Sequence, residues 1–298
     1  MEIHIMAILM NEAKLFKISS KIEHEIEEIN MGEGAKPLRV LRLHNVYENP
    51  EAVRNVILNA PHTRSPAITA AAPWWRTNFS ADLREVNGKI LEMVATHLSP
   101  TAHINKKLTK KIFQNWASSV QSNLINGCPE EHMKKFLAWH RQRFKQEDAW
   151  FKWRTFQGPH SDKNTWACNL WLTPPNKCQG GTGFYQHIET GLSNVGQIQA
   201  ALCNKDELYR EKFLKKFSPK YNPEIDDLWI SDSNRYWELK YVEKMKFNTM
   251  SIYDGSFFHM AYMKPGWFKD SYRLSQIFFV HNDEKINIDE DYATKYFS

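Results

Sequence analysis

The sequence predicts a mainly β domain with flanking helices, an α+β arrangement in which the helices buttress one face of a sheet or barrel. Three observations carry this. From about Ala149 the chain breaks into short alternating or apolar runs bounded by Pro, Gly and Asn, which is the pattern of strands and turns. Before that point the apolar residues recur mostly at helical spacing. The aromatic load, with 11 Trp, 11 Tyr and 17 Phe in 298 residues, suits strands that wall a pocket.

Residues 1 to about 37 include the charged stretch KIEHEIEEINMGEGAKP and read as a surface extension with some helical content, preceding a single domain over 38–298. In LRVLRLHNVYENPEAVRNVILNA a strand from Leu38 gives way to a turn at Asn49-Pro50. Asn49 is placed to cap, and Pro50 to open, a helix whose apolar side holds Val53, Val56, Ile57 and Leu58. PHTRSPAITAAAPWWRTN has no period and reads as a long ordered loop of the kind that rims a site. Helical spacing returns in DLREVNGKILEMVATHL and in PEEHMKKFLAWHRQRF, where Pro129 and two acids occupy the first turn. The β core starts near 149, with strands expected in AWFKWRTF, NTWACNLWLTP, GTGFYQH, YVEKMKFNTMSIYDG and RLSQIFFVH. A helical insertion over about 192–244 interrupts them, with helices in 192–217 and around 232–244.

Composition excludes some functions. The formal net charge of +5 is spread along the chain and interleaved with acids, as in KDELYREKFLKKF, which reads as a solvated helix face rather than a nucleic-acid surface. An anionic small-molecule substrate remains compatible with it. Cys128, Cys168, Cys178 and Cys203 form no CxxC pair, as expected for reduced thiols. MAILM is far too short for a membrane span and lacks the flanks of a secretory signal, so the expectation is a cytoplasmic protein without a membrane partner. Nothing in the sequence speaks to oligomeric state.

The chemistry centres on QGPHSDKNTW. Residues i and i+2 of a strand project to one face, so an extended His160 and Asp162 offer an imidazole nitrogen and a carboxylate oxygen to one divalent cation. The third ligand is expected from His259 in SIYDGSFFHMAYM. Two His and one carboxylate leave three metal positions open, the set expected of a non-haem Fe(II) oxygenase. Arg273, 14 positions after His259 (273 − 259), shares a strand face with Ser275, and a guanidinium with a hydroxyl beside it suits a carboxylate. His187 and His281 are rival ligands, but neither has an Arg at the right distance behind it.

Taken in order, HxD, a distal His and R-x-S resemble the Fe(II)- and 2-oxoglutarate-dependent dioxygenase superfamily. NVYENPEAVRNVILNA, PWWRTN and GGTGFYQH look like a little-characterised branch of it, and the resemblance covers roughly residues 38–281. It implies a double-stranded β-helix, or jelly-roll, core. It implies His160, Asp162 and His259 as Fe(II) ligands, Arg273 as the partner of the 2-oxoglutarate 5-carboxylate, and Ser275 as its helper. Asn169 and Tyr185 stand where the superfamily often places a further 2-oxoglutarate contact. Arg64, Arg76 and Trp166 are candidates at the pocket mouth, although Trp166, Trp171 and Tyr185 also suit a barrel filling. The implied reaction uses O2 and 2-oxoglutarate, releases succinate and CO2, and hydroxylates a C–H bond of a small-molecule or amino-acid-like substrate. A carboxylate at Asp162, where halogenating relatives carry a small residue, points to hydroxylation, demethylation or desaturation. Two alternatives stay open: a cupin-like metal enzyme that does not use 2-oxoglutarate, and a non-catalytic jelly-roll binding module.

Overall fold

In a computed structural model, the residues described are 15–59, 63–64, 75–79, 81, 83–98, 120–126, 159–162, 165–203, 205–217, 230, 232–264, 267–268 and 272–281. Alternation in LRVLRLH makes β2 (Leu38–His44) a strand buried on both faces: Leu38 and Val40 point one way, Leu41 and Leu43 the other. Around it the chain builds two antiparallel sheets. The larger runs in the order β1-β2-β9-β6-β11-β5-β4-β3, and the smaller in the order β10-β7-β8. The remaining strands are β1 (Glu23–Ile29), β3 (Thr63–Arg64), β4 (Trp75–Phe79), β5 (Val120–Asn126), β6 (Thr165–Trp171), β7 (Gly181–His187), β8 (Trp237–Lys244), β9 (Thr249–Asp254), β10 (His259–Tyr262) and β11 (Tyr272–His281).

Helices cover one face of the large sheet. Asn49 Oδ1 accepts the Ala52 amide at 3.2 Å and caps α1 (Pro50–Asn59), which buries Val53 and Ile57. Helix α2 (Arg84–Met93) buries Val86, Ile90 and Met93 and runs into a π-helical turn at Val94–Leu98. These side chains pack with Trp166, Cys168 and Leu170 of β6 in one apolar core. The opposite face of the large sheet, carrying Ala167, Asn169 and Trp171 of β6, looks toward the small sheet. There Phe184 and Tyr253 join Val40 in a second cluster, and Trp171 joins a third with the insertion residues Val195 and Ile198. Those two lie in α3 (Val195–Leu202), which is followed by α4 (Glu207–Phe217).

The sequence expectations need four corrections. The charged stretch 21–37 of the extension holds strand β1 rather than helix, and the extension buries Phe16 and Met31; its glutamates are held by cross-strand partners such as Arg42 and Arg39. The helix expected around 232–244 is strand β8 over Trp237–Lys244, because pairing with β7 overrides the helical preference of its Glu, Lys and Leu. The helical insertion therefore ends before it. Both ends of the Pro- and Ala-rich loop are strands, β3 and β4, and β5 adds a strand where none was read. Trp166 is removed from the pocket mouth: it is 8% exposed and lies in the helix-facing core, on the opposite side of β6 from Asn169. The helix expected in PEEHMKKFLAWHRQRF and the strand in AWFKWRTF lie outside the described residues. Among the described residues no helix is long and apolar enough to cross a membrane.

Candidate metal centre

His160 and His259 meet through the backbone first. Each donates its amide to the other's carbonyl, at 2.9 and 2.8 Å, in a bridge that joins the HxD segment to the start of β10. Asp162 is fixed two residues on by its amide, which donates to the Gly255 carbonyl at 2.7 Å. The two imidazoles then lie 4.7 Å apart between ring centres, and one ligand atom from each of His160, Asp162 and His259 falls within 4.8 Å of the others. Residues separated by almost a hundred positions are thus gathered by two strand ends and one turn.

The hydrogen bonds of His259 define its tautomer. Nδ1 stands 2.8 Å from the Phe257 carbonyl oxygen, and a carbonyl only accepts, so Nδ1 carries the proton. In the neutral ring Nε2 then offers a lone pair, and it faces Asp162 Oδ2 at 3.2 Å. A lone pair and a carboxylate face each other stably only with a second proton or a cation between them. Metal-ligating histidines are commonly oriented in this way, the ring nitrogen away from the metal donating to a carbonyl or carboxylate.

The charges of the ligands are set the same way. Packing of protein around the ring, and then the neighbouring His259, lower the pKa of His160 to about 4 against the opposing pull of Asp162. Some of His160 remains open to solvent, so the direction is what counts: a neutral ring at pH 7. Burial pushes Asp162 up, but at the acid pH where it titrates the imidazoles are protonated, and a hydrogen bond from His259 and then the charges of His259 and His160 outweigh burial and hold the carboxyl at about 2. Neutral imidazole and ionised carboxylate are the forms that bind a divalent cation.

Arg273 and Ser275 lie on one face of β11, opposite Ile125 and Asn123 of β5, with Ser275 also opposite Trp171 of β6. Both are buried, Arg273 to 4% exposure. Nη2 donates to the Gly181 carbonyl at 3.0 Å, and the guanidinium lies over the Trp171 ring, 4.9 Å from its centre. Position 181 has to be glycine, since a Cβ there would stand 1.8 Å from the Glu243 carbonyl oxygen. Nε of Arg273 has no hydrogen-bond partner, and no carboxylate pairs with this arginine among the described residues. Burial lowers its pKa to about 10, which leaves it charged at neutral pH. An unpaired buried cation calls for an anion.

The other sequence candidates fall into two groups. Asn169 belongs with the site: its Nδ2 donates at 3.0 Å to the hydroxyl of Tyr253, whose ring packs edge-on against His259 at 5.1 Å. Tyr185 does not: Phe184 stands opposite His259, and the Tyr185 hydroxyl donates to the Ile230 carbonyl at 3.3 Å. His187 is also elsewhere, its Nδ1 2.9 Å from Thr190 Oγ1 and its ring against Trp237. His281 ends β11 opposite Thr165. Arg76 stands opposite Asn123, which is opposite Ser275, while Arg64 stands opposite Trp75; their side chains lie outside the described residues. Sequence reasoning missed Tyr253, which in SIYDG looks like any inward strand aromatic.

Fold and site together define a two-sheet β protein with a candidate two-histidine, one-carboxylate metal centre. Residues 130–270 match the model of a family of unknown function (DUF6445), a span that holds all three candidate ligands and stops three residues before Arg273 (273 − 270). No curated protein and no solved structure matches the chain.

Proposed function

We propose that the protein is an Fe(II)- and 2-oxoglutarate-dependent oxygenase that hydroxylates a C–H bond of a small-molecule or amino-acid-like substrate with release of succinate and CO2. The observation that carries the reading is the pairing of the His160, Asp162 and His259 cluster with a buried guanidinium that lacks a counter-charge among the described residues. A metal and a dicarboxylate complete both at once.

The topology supports a double-stranded β-helix. From β5 onward the chain crosses repeatedly between the sheets: β5 large, the His160 bridge to β10 small, β6 large, β7 and β8 small, β9 large, β10 small, β11 large. Such alternation is how a jelly roll is wound. Metal ligands are then carried by the small sheet and its neighbouring turn, and Arg273 by the large one.

His160, Asp162 and His259 would hold the iron, which when bound supplies the activation of O2 at the expense of 2-oxoglutarate. The chain's own part is binding and orientation. Arg273 anchors a carboxylate, with the buried Ser275 hydroxyl beside it, and Trp171 and Gly181 keep the guanidinium in place before the anion arrives. The Phe257 carbonyl keeps His259 in its ligating tautomer. The open side of His160 is where substrate reaches the centre.

One observation favours a second reading, a metal enzyme of this fold without 2-oxoglutarate: the Trp171 ring and the Gly181 carbonyl already give Arg273 some structural support. Metal titration of variants separates the parts. His160→Ala, Asp162→Ala and His259→Ala should each lose Fe(II) binding, whereas Arg273→Ala should bind Fe(II) like the wild type and need far more 2-oxoglutarate. Equal iron content in all four variants would count against the ligand assignment.

A further inference from the structure

We infer that Ser251 is a positioning residue for the co-substrate: its hydroxyl, oriented by the Glu243–Arg42 ion pair, holds the Trp171 indole against the Arg273 guanidinium and so sets how tightly the anion is bound. This rests on the oxygenase reading above and adds to it a residue that neither the sequence motif nor the ligand cluster contains.

Strand register brings the parts together. Ser251 of β9 stands opposite Arg42 of β2 on one side and Asn169 of β6 on the other, and so shares the face that looks toward the small sheet. Trp171 lies two residues along β6 from Asn169, diagonal to Ser251 and within reach for a long aromatic side chain. Its Nε1 donates to Ser251 Oγ at 3.3 Å, and both side chains are fully buried. From the small sheet, Glu243 of β8 reaches across to the same hydroxyl.

The direction of each hydrogen bond follows from what its partner can do. Glu243 is paired through both oxygens with Arg42, at 2.8 and 2.7 Å, and a carboxylate only accepts. The Ser251 proton, facing Glu243 Oε1 at 2.7 Å, is therefore committed to the carboxylate. That leaves a hydroxyl lone pair for the indole N–H, which only donates. The face of the indole carries the guanidinium, 4.9 Å from the ring centre. Glu243 braces the other support of Arg273 as well. Its carbonyl oxygen occupies the space where a Cβ on residue 181 would stand, at 1.8 Å, and the Gly181 carbonyl accepts from Arg273 Nη2 at 3.0 Å. Two-point capture of a carboxylate depends on the plane of the guanidinium, so a loose indole becomes a loosely aimed arginine and a weaker hold on the anion.

The test is anaerobic binding to Fe(II)-loaded Ser251→Ala, a change that removes the hydroxyl and leaves ring and guanidinium in place. Two probes are titrated: 2-oxoglutarate, and 2-oxobutanoate, which keeps the metal-chelating end and lacks the distal carboxylate. 2-Oxoglutarate should bind roughly three- to tenfold more weakly, while Fe(II) and 2-oxobutanoate affinities stay within about twofold. Ser251→Thr, which returns a hydroxyl, should restore 2-oxoglutarate binding. In Trp171→Phe, which keeps a ring face and has no N–H, adding Ser251→Ala should weaken 2-oxoglutarate by less than about twofold further, because the two changes break one link. Unchanged 2-oxoglutarate affinity in Ser251→Ala overturns the positioning role, as does an equal loss for both acids, and losses that multiply in the double variant overturn the route through the indole. If Trp171→Phe does not fold, Ser251→Thr decides, and failure to recover 2-oxoglutarate binding there overturns the role. Wild-type protein that binds Fe(II) but no 2-oxoglutarate overturns the oxygenase reading itself, a failure distinct from that of Ser251.

Discussion

Two arginines stand on the same face of the large sheet and meet opposite surroundings. Arg42 on β2 donates through Nε and Nη2 to both oxygens of Glu243, at 2.8 and 2.7 Å, and its remaining donors reach Glu25, Glu27 and the Tyr241 hydroxyl. Glu243, 1% exposed, accepts a further hydrogen bond from Ser251 at 2.7 Å. Arg273 on β11 has one carbonyl and one aromatic face, and its Nε has nothing. The first arginine is neutralised by the fold and ties β1, β2, β8 and β9 together. The second has no counter-charge among the described residues. One partly buried cation is matched by carboxylates and another, fully buried, has none among the described residues, a contrast that marks Arg273 for a functional role.

The sharpest way to break this comparison is to remove one partner at each place. Glu243→Ala removes the buried acceptor of Arg42 and Ser251 and should cost about 1–3 kcal/mol in urea unfolding, since Glu25 and Glu27 still pair with the guanidinium. Arg273→Met, similar in volume and without charge, should change the stability of the ligand-free protein by less than about 1 kcal/mol or raise it. A large loss at Arg273 and a small one at Glu243 would reverse the roles assigned to them.

Ligand addition sharpens the contrast. With Fe(II) present under anaerobic conditions, 2-oxoglutarate at a hundredfold excess over its dissociation constant should stabilise the wild type by about 2.7 kcal/mol, seen as a raised melting temperature. Arg273→Met should show little of this, and Ser275→Ala an intermediate shift.

The smallest effect is a pH dependence. Burial lowers the pKa of His187 to about 4, from an ordinary 6.5, and the protein packed around His160, with His259 beside it, shifts that ring in the same direction. Between those values the unfolded chain binds more protons than the folded one. The metal-free protein should therefore have its full share of stability from these rings above about pH 6.5 and lose it as the pH falls toward 4. His187→Gln should flatten part of that slope with or without metal, whereas bound metal should steepen it, because a ligating ring takes no proton in the folded state. An unchanged slope in His187→Gln would show that its ring titrates freely.

How far the sequence led can be read from particular residues. The runs NTWACNLW, GTGFYQH and RLSQIFFVH alternate or stay apolar because both faces of their strands are covered, and they became β6, β7 and β11. His160, Asp162 and His259 were found through residue type and order, and the fold does bring them together. WELKYVEK misled because its residues favour helices, and only its pairing with β7 makes it a strand. EHEIEEI misled because glutamates rarely form strands, and the arginines that balance them lie on the next strand. Tyr185 and Trp166 were misplaced by one step of strand parity. Which residue of β7 meets β10 and the side on which the helices pack are not written in any local pattern.

The most direct measurement is the visible spectrum of purified protein as Fe(II) and then 2-oxoglutarate are added under anaerobic conditions. Wild-type protein should develop the weak metal-to-ligand charge-transfer band expected of a chelated 2-oxoacid, and the band should be lost in His259→Ala and weakened or lost in Arg273→Ala. Stoichiometric Fe(II) binding with no band at saturating 2-oxoglutarate would contradict the claim that Arg273 awaits this anion.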